Sequence, residues 1–152
     1  MGLALKEAQK AYEKEEVPIG AVVARNGEVI SRAHNKKENL NDATAHAEIL
    51  AIKKAGARMK SWRLVDCDLY VTVEPCPMCA GAIVQARVER VIFGALDKKA
   101  WGNLRSEYIL ENSALNHQVK VVAGVMEANC EEIIKKFFKG LRNDRTSSFW
   151  EM

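Results

Sequence analysis

Cys76-Pro77-Met78-Cys79 sets two thiols three positions apart, and upstream His46 and Glu48 stand two apart in an alanine-rich run. Imidazole and thiolate together suit zinc better than the other common divalent ions. One His and two Cys make three ligands, and a zinc site with three protein ligands keeps its fourth position open for water, the arrangement of a catalytic centre. Pro77 suits the first turn of a helix, so both thiols fall at a helix N-terminus, where the dipole favours the thiolates that a metal requires. Glu48 lies about 200° around an ideal helix from His46, so the two cannot share a side face and the metal must sit off the helix end. Glu48 also falls in the apolar stripe of Ala45, Ile49 and Ile52, where burial makes a carboxyl hold its proton more tightly. Metal-assisted hydrolysis, with Glu48 carrying protons from water to the reacting group, is the chemistry these four residues suggest.

Other uses of the same residues are weaker. Capping by Glu48 would need a cap three positions earlier, at Ala45, which is poor at it. A Cys-Pro-X-Cys between a strand and a helix also resembles the thiol site of glutaredoxins. Thioredoxin-fold enzymes pack a cis-proline against that site, however, and no proline follows Pro77 here. The redox reading also leaves His46 and Glu48 without a role. Cys67 and Cys130 have no ligand-spaced partner and read as small buried hydrophobes. His34 and His117 read as hydrogen-bonded structural or substrate-contacting residues.

The elements that must position these residues can be read from periodicity. Residues 3–15 predict an amphipathic helix, and 17–24 and 28–33 predict strands joined by Asn26-Gly27, a strong hairpin turn. A polar loop follows, then a helix over 44–58 capped by Asp42 or Thr44. Residues 68–73, 76–87 and 88–94 read as a β-α-β unit with parallel strands. A strand over 119–124 and a helix over 127–141 close the domain. A mixed sheet of about five strands with helices on both sides is expected, as one domain over 1–145 with a loose tail at 146–152.

The 152 residues, 48% of them apolar, suffice for one core. No apolar run approaches the roughly 18–20 residues of a membrane span. The start of the chain does not read as a secretory signal, and Lys6 stands where a myristoylation pattern has Ser or Thr. A cytoplasmic location with reduced or metal-bound cysteines is expected. The net charge of +3, from 23 basic and 20 acidic residues, permits nucleic-acid binding without demanding it.

His-x-Glu followed by Pro-Cys-x-x-Cys is the signature of zinc nucleobase deaminases. Around it stand Glu16-Val17-Pro18-Ile19-Gly20-Ala21-Val22, Ala33-His34-Asn35, Trp62-Arg63-Leu64, Asn116-His117 and Phe137-Phe138-Lys139-Gly140-Leu141-Arg142. With these segments the chain resembles the bacterial tRNA adenosine deaminase family, TadA, over nearly its whole length. The resemblance implies a three-layer α/β/α cytidine-deaminase-like fold with a mixed five-stranded sheet, one zinc per subunit, a homodimer, and conversion of adenosine to inosine at the wobble position of a tRNA anticodon. It also implies that Asn35 hydrogen-bonds the flipped base, that Val17 packs on it, and that Asp97, Phe137 and Arg142 lie near the anticodon nucleotides. Core packing is the other reading of Val17 and Phe137. The chain departs from the family at Ala43, where a proline is usual. It departs again over 100–105, where bulky residues replace a small-residue stretch expected to border the substrate groove. Trp101 in that loop is suited either to base stacking or to packing. Two other functions keep the motif: deamination of a free base or nucleoside such as guanine, cytosine or cytidine, and an inactive zinc-stabilised RNA-binding module.

Overall fold

Asn26 and Gly27 carry φ of 51° and 76°, the left-handed pair that a two-residue hairpin turn requires. They join strand β1 (Gly20–Arg25) to β2 (Glu28–His34). The computed structural model describes residues 1–150, with side chains through Asp144. Helix α1 (Gly2–Glu13) precedes the hairpin, and the short α2 (Lys37–Leu40) and the longer α3 (Ala47–Met59) follow it. Strand β3 (Cys67–Val73), helix α4 (Pro77–Gln85) and strand β4 (Arg90–Ala95) form the expected β-α-β unit. Two single turns, α5 (Lys98–Trp101) and α6 (Glu107–Leu110), lead to β5 (Lys120–Val122) and the closing helix α7 (Glu127–Trp150).

The sheet order is β2-β1-β3-β4-β5. β1 runs antiparallel to both β2 and β3, whereas β3, β4 and β5 are parallel. The sheet is therefore mixed and five-stranded, as expected. α3, α4 and α6 cover one face, and Ala21, Val23, Leu69, Val71, Val91 and Phe93 alternate onto it to meet Ala47, Ala51, Ile83 and Leu110. α1 and α7 cover the other face around Val73, Ala95 and Cys130.

Two glycines bring that second layer close. A Cβ on Gly20 would collide with the Ala4 carbonyl and the Ala8 amide of α1, and one on Gly94 would collide with Cys130 of α7. Gly20→Ala must displace helix backbone rather than turn a side chain aside. It is expected to cost about 3 kcal/mol, read as a lower urea midpoint at unchanged m-value.

Several boundaries differ from expectation. β1 begins at Gly20 rather than residue 17, because Pro18 has no N–H for a ladder and Ile19 N–H instead turns back to the Val17 carbonyl at 2.8 Å. The second long helix begins at Ala47 rather than 44, and neither Asp42 nor Thr44 caps it. Asp42 instead accepts from the Thr44 N–H and hydroxyl at 2.8 and 2.7 Å in a turn of its own. α7, expected to end at 141, continues to Trp150 and takes in 146–150 of the expected tail, while 151–152 lie outside the described residues. No helix among the described residues is long and apolar enough to cross a membrane.

Candidate active site

The N-termini of α3 and α4 converge beyond the C-terminal end of β3, and each presents its capping residue. His46 and Cys76 are those caps, both with extended backbone (ψ 152° and 169°), so their side chains project off the helix ends and not along helix faces. Pro77 occupies the first turn of α4, and Cys79, one turn in, is buried. His46 Nδ1 lies 3.6 Å from Cys76 Sγ and 3.4 Å from Cys79 Sγ. The three ligand atoms all fall within 4.8 Å of one another. Tetrahedral zinc with ordinary bond lengths would place nitrogen and sulfur about 3.5 Å apart, so the donor set and its spacing fit the ion. Among the described residues this is the one group of three or more such side chains that could hold a metal.

Charge in the site is divided unevenly. The Cys76 thiol is pulled down to about 4, chiefly by the hydrogen bond from Cys79 and then, against the cost of burial, by His46. Cys79 is pushed up by that same bond and by burial. The first negative charge of the pair thus falls on Cys76, and a metal held by both sulfurs would release the proton of Cys79. Glu48, in the first turn of α3, is 3% exposed. Burial raises its pKa to about 7, with the negative charge of Cys76 adding to the effect. A carboxyl with that pKa both takes and gives a proton near neutrality.

The other expected site residues have partners of their own, none of them His46, Cys76 or Cys79 among the contacts the structure shows. Asn35 follows β2 and is 6% exposed; its amide donates to the Val17 carbonyl at 3.2 Å and accepts from Lys37 N–H at 3.1 Å. Val17 is half-buried and is linked to Asn35 through that carbonyl. Asp97 caps α5 through Ala100 N–H at 3.1 Å. Phe137 is buried in an edge-on aromatic cluster with Tyr12 and Phe138, which is the packing arrangement. Arg142 is exposed farther along α7. Trp101 is a packing anchor, 7% exposed, and its indole N–H donates to the Pro75 carbonyl at 2.8 Å. His34 donates to Glu7 at 3.0 Å and His117 to the Val88 carbonyl at 2.7 Å, so neither joins the metal group. Cys67 and Cys130 are buried free thiols.

Two buried carboxylates that order the loops leading to the site, Glu16 and Glu74, escaped the sequence reading. Glu16, fully buried, accepts from Glu38 N–H, Asn39 N–H and the Asn39 amide, and so holds α2 in the loop that leads to His46. Glu74, 3% exposed, holds the loop after β4 in the same manner. Burial alone would raise its pKa, but hydrogen bonds from the Ser106 and Asp97 amides outweigh that and lower it. The available signal was a charged residue at the end of an apolar run, as in Val71-Thr72-Val73-Glu74.

A family model described as MafB19-like deaminase matches residues 1–142, and together the fold and the site define a deaminase. The chain is 49% identical over 145 residues to the tRNA-specific adenosine deaminase of Bacillus subtilis (strain 168), covering 95% of this chain and 90% of that one. To the protein of the same name from Aquifex aeolicus (strain VF5) it is 51% identical over 142 residues, covering 93% of each. A solved structure from work on A-to-I editing by deaminases of the tRNA wobble position is 44% identical, with a TM-score of 0.82 over 88% of this chain and 96% of that one. The chain belongs to the family of tRNA-specific adenosine deaminases.

Proposed function

We propose that this chain holds one zinc ion on His46, Cys76 and Cys79 and hydrolyses adenosine to inosine and ammonia at the wobble position of a tRNA anticodon. The observation that carries the reading is buried Glu48 beside a ligand set with tetrahedral spacing, in a chain about half identical to tRNA-specific adenosine deaminases. When bound, zinc supplies the acidification that makes water a nucleophile near neutral pH. Glu48 is the group suited to accept the proton from that water and to deliver protons to the ring nitrogen and the leaving ammonia. Beyond its bonds to Val17 and Lys37, the Asn35 amide has a second N–H and a second lone pair with which to read a flipped base. Val17 gives the base an apolar wall. Asp97 and the 137–142 segment meet the neighbouring nucleotides, with Phe137 supporting that surface from beneath. The family resemblance supports a cytoplasmic homodimer.

Incubation with a tRNA bearing adenosine at the wobble position, and separately with free bases and nucleosides, tests the reading by nucleoside analysis of the products. Inosine should form in the tRNA. Turnover of free guanine or cytidine with none on tRNA would overturn it.

Lys135, Lys136, Lys139 and Arg142 are exposed along α7, which suits phosphate contact. Replacing Lys139 and Arg142 by Ala is expected to weaken RNA binding and to reduce the slope of log K against log salt by about 1.4, for two contacts to single-stranded RNA. An unchanged slope would remove α7 from the RNA surface.

A further inference from the structure

Glu74 stands two residues before Cys76 and is 3% exposed, yet proton transfer at Glu48 makes no use of it. One carboxylate oxygen, Oε2, accepts from Asp97 N–H at 3.0 Å. The other, Oε1, accepts from Ser106 N–H at 2.9 Å and Arg105 Nε–H at 3.2 Å. Its own N–H donates to the Ala95 carbonyl at 2.8 Å. The next residue, Pro75, accepts from Trp101 Nε1 at 2.8 Å. Both ends and the middle of the 97–106 segment are thereby tied to the two residues that lead into a metal ligand. The Asp97 and Ser106 amides lie outside helix and strand hydrogen-bond ladders, and without the carboxylate they would need another buried partner.

We propose that Glu74 is a positioning residue that fixes the 97–106 segment as a preformed wall beside the metal-binding turn and so sets how this chain receives its RNA. The inference rests on the tRNA reading above. It accounts for the bulky residues that distinguish this loop. Trp101 is turned inward onto Pro75, Leu104 is left half exposed on the outer surface, and the carboxylate holds the ends of the segment between which both lie. Glu74→Gln keeps the shape but not the bonding. An amide offers one acceptor oxygen, and its NH2 would face an N–H donor at Asp97 or Ser106.

The test compares wild type with Glu74→Gln and Arg105→Ala in metal content, in hydrogen exchange of the 97–106 backbone, and in kcat and KM on an anticodon stem-loop with adenosine at the wobble position. Glu74→Gln should keep its metal, exchange the Asp97 and Ser106 amides faster, and raise KM about tenfold with kcat changed less. Arg105→Ala removes one bond from the exposed side, and should raise KM by a smaller factor at unchanged melting temperature. Unchanged exchange and KM in Glu74→Gln, or a loss traced to missing metal, would overturn the proposal. If Glu74→Gln does not fold, an unchanged KM in Arg105→Ala overturns it. A wild type inactive on RNA would defeat the tRNA reading instead, while exchange would still report whether Glu74 holds the segment.

Discussion

Glu48→Gln is expected to fall by about 10⁴-fold in kcat while remaining folded and keeping its metal. The substitution preserves size and leaves all three ligands in place, but an amide can neither take a proton from water nor return one. No neighbour can substitute for it. The titratable side chains that act on Glu48 are His46, Cys76 and Cys79. As the proposed ligands, the two sulfurs would bind as thiolates, and His46, bound through Nδ1, would keep only an Nε2 proton that a neutral imidazole does not readily release. Stability should hold or rise, because a neutral amide costs less to bury than a carboxyl that must ionise. Single-turnover conversion of the RNA substrate and the metal-to-protein ratio check both halves. A variant within tenfold of wild-type rate would remove Glu48 from the proton pathway.

Much of this centre is legible in the sequence, because its parts are defined by residue type and short spacing. The Cys pair, the proline in the first turn and the impossibility of His46 and Glu48 sharing a helix face together point to a candidate metal site off a helix end, where His46 Nδ1 meets both sulfurs. The hairpin was legible for the same reason: Asn26-Gly27 permits little else. What was not legible depends on contacts distant in sequence. The helix start moved to Ala47 because Asp42 closes a local turn on Thr44, a competition that periodicity does not register. The orientation of Trp101 was undecided until the carbonyl of Pro75, 26 residues earlier, proved to be its partner. Glu16 and Glu74 escaped notice because a carboxylate that binds loop amides leaves no pattern beyond an acid where apolar residues are expected.

Cys79→Ser is expected to abolish both metal binding and turnover. Cys79 is fully buried in the first turn of α4, with its sulfur 3.4 Å from His46 Nδ1. A serine hydroxyl there would have to ionise against a pKa far above that of any thiol, so the ligand set falls from three to two. Free metal at about 1,000 times its Kd stabilises a folded protein by about 4 kcal/mol. For a chain of this size, losing that shifts the melting temperature downward by roughly 10 °C. Wild type treated with a chelator should fall to the same temperature and recover on addition of zinc, whereas Cys79→Ser should not recover. The same measurement separates the metal centre from a dithiol redox site. In a redox site, removing one thiol would block disulfide formation and leave both the metal content and the response to chelator unchanged. A Cys79→Ser protein that melts like wild type, together with a wild type that carries no metal and does not respond to chelator, would return Cys76-Pro77-Met78-Cys79 to thiol chemistry and leave Glu48 without a reaction to serve.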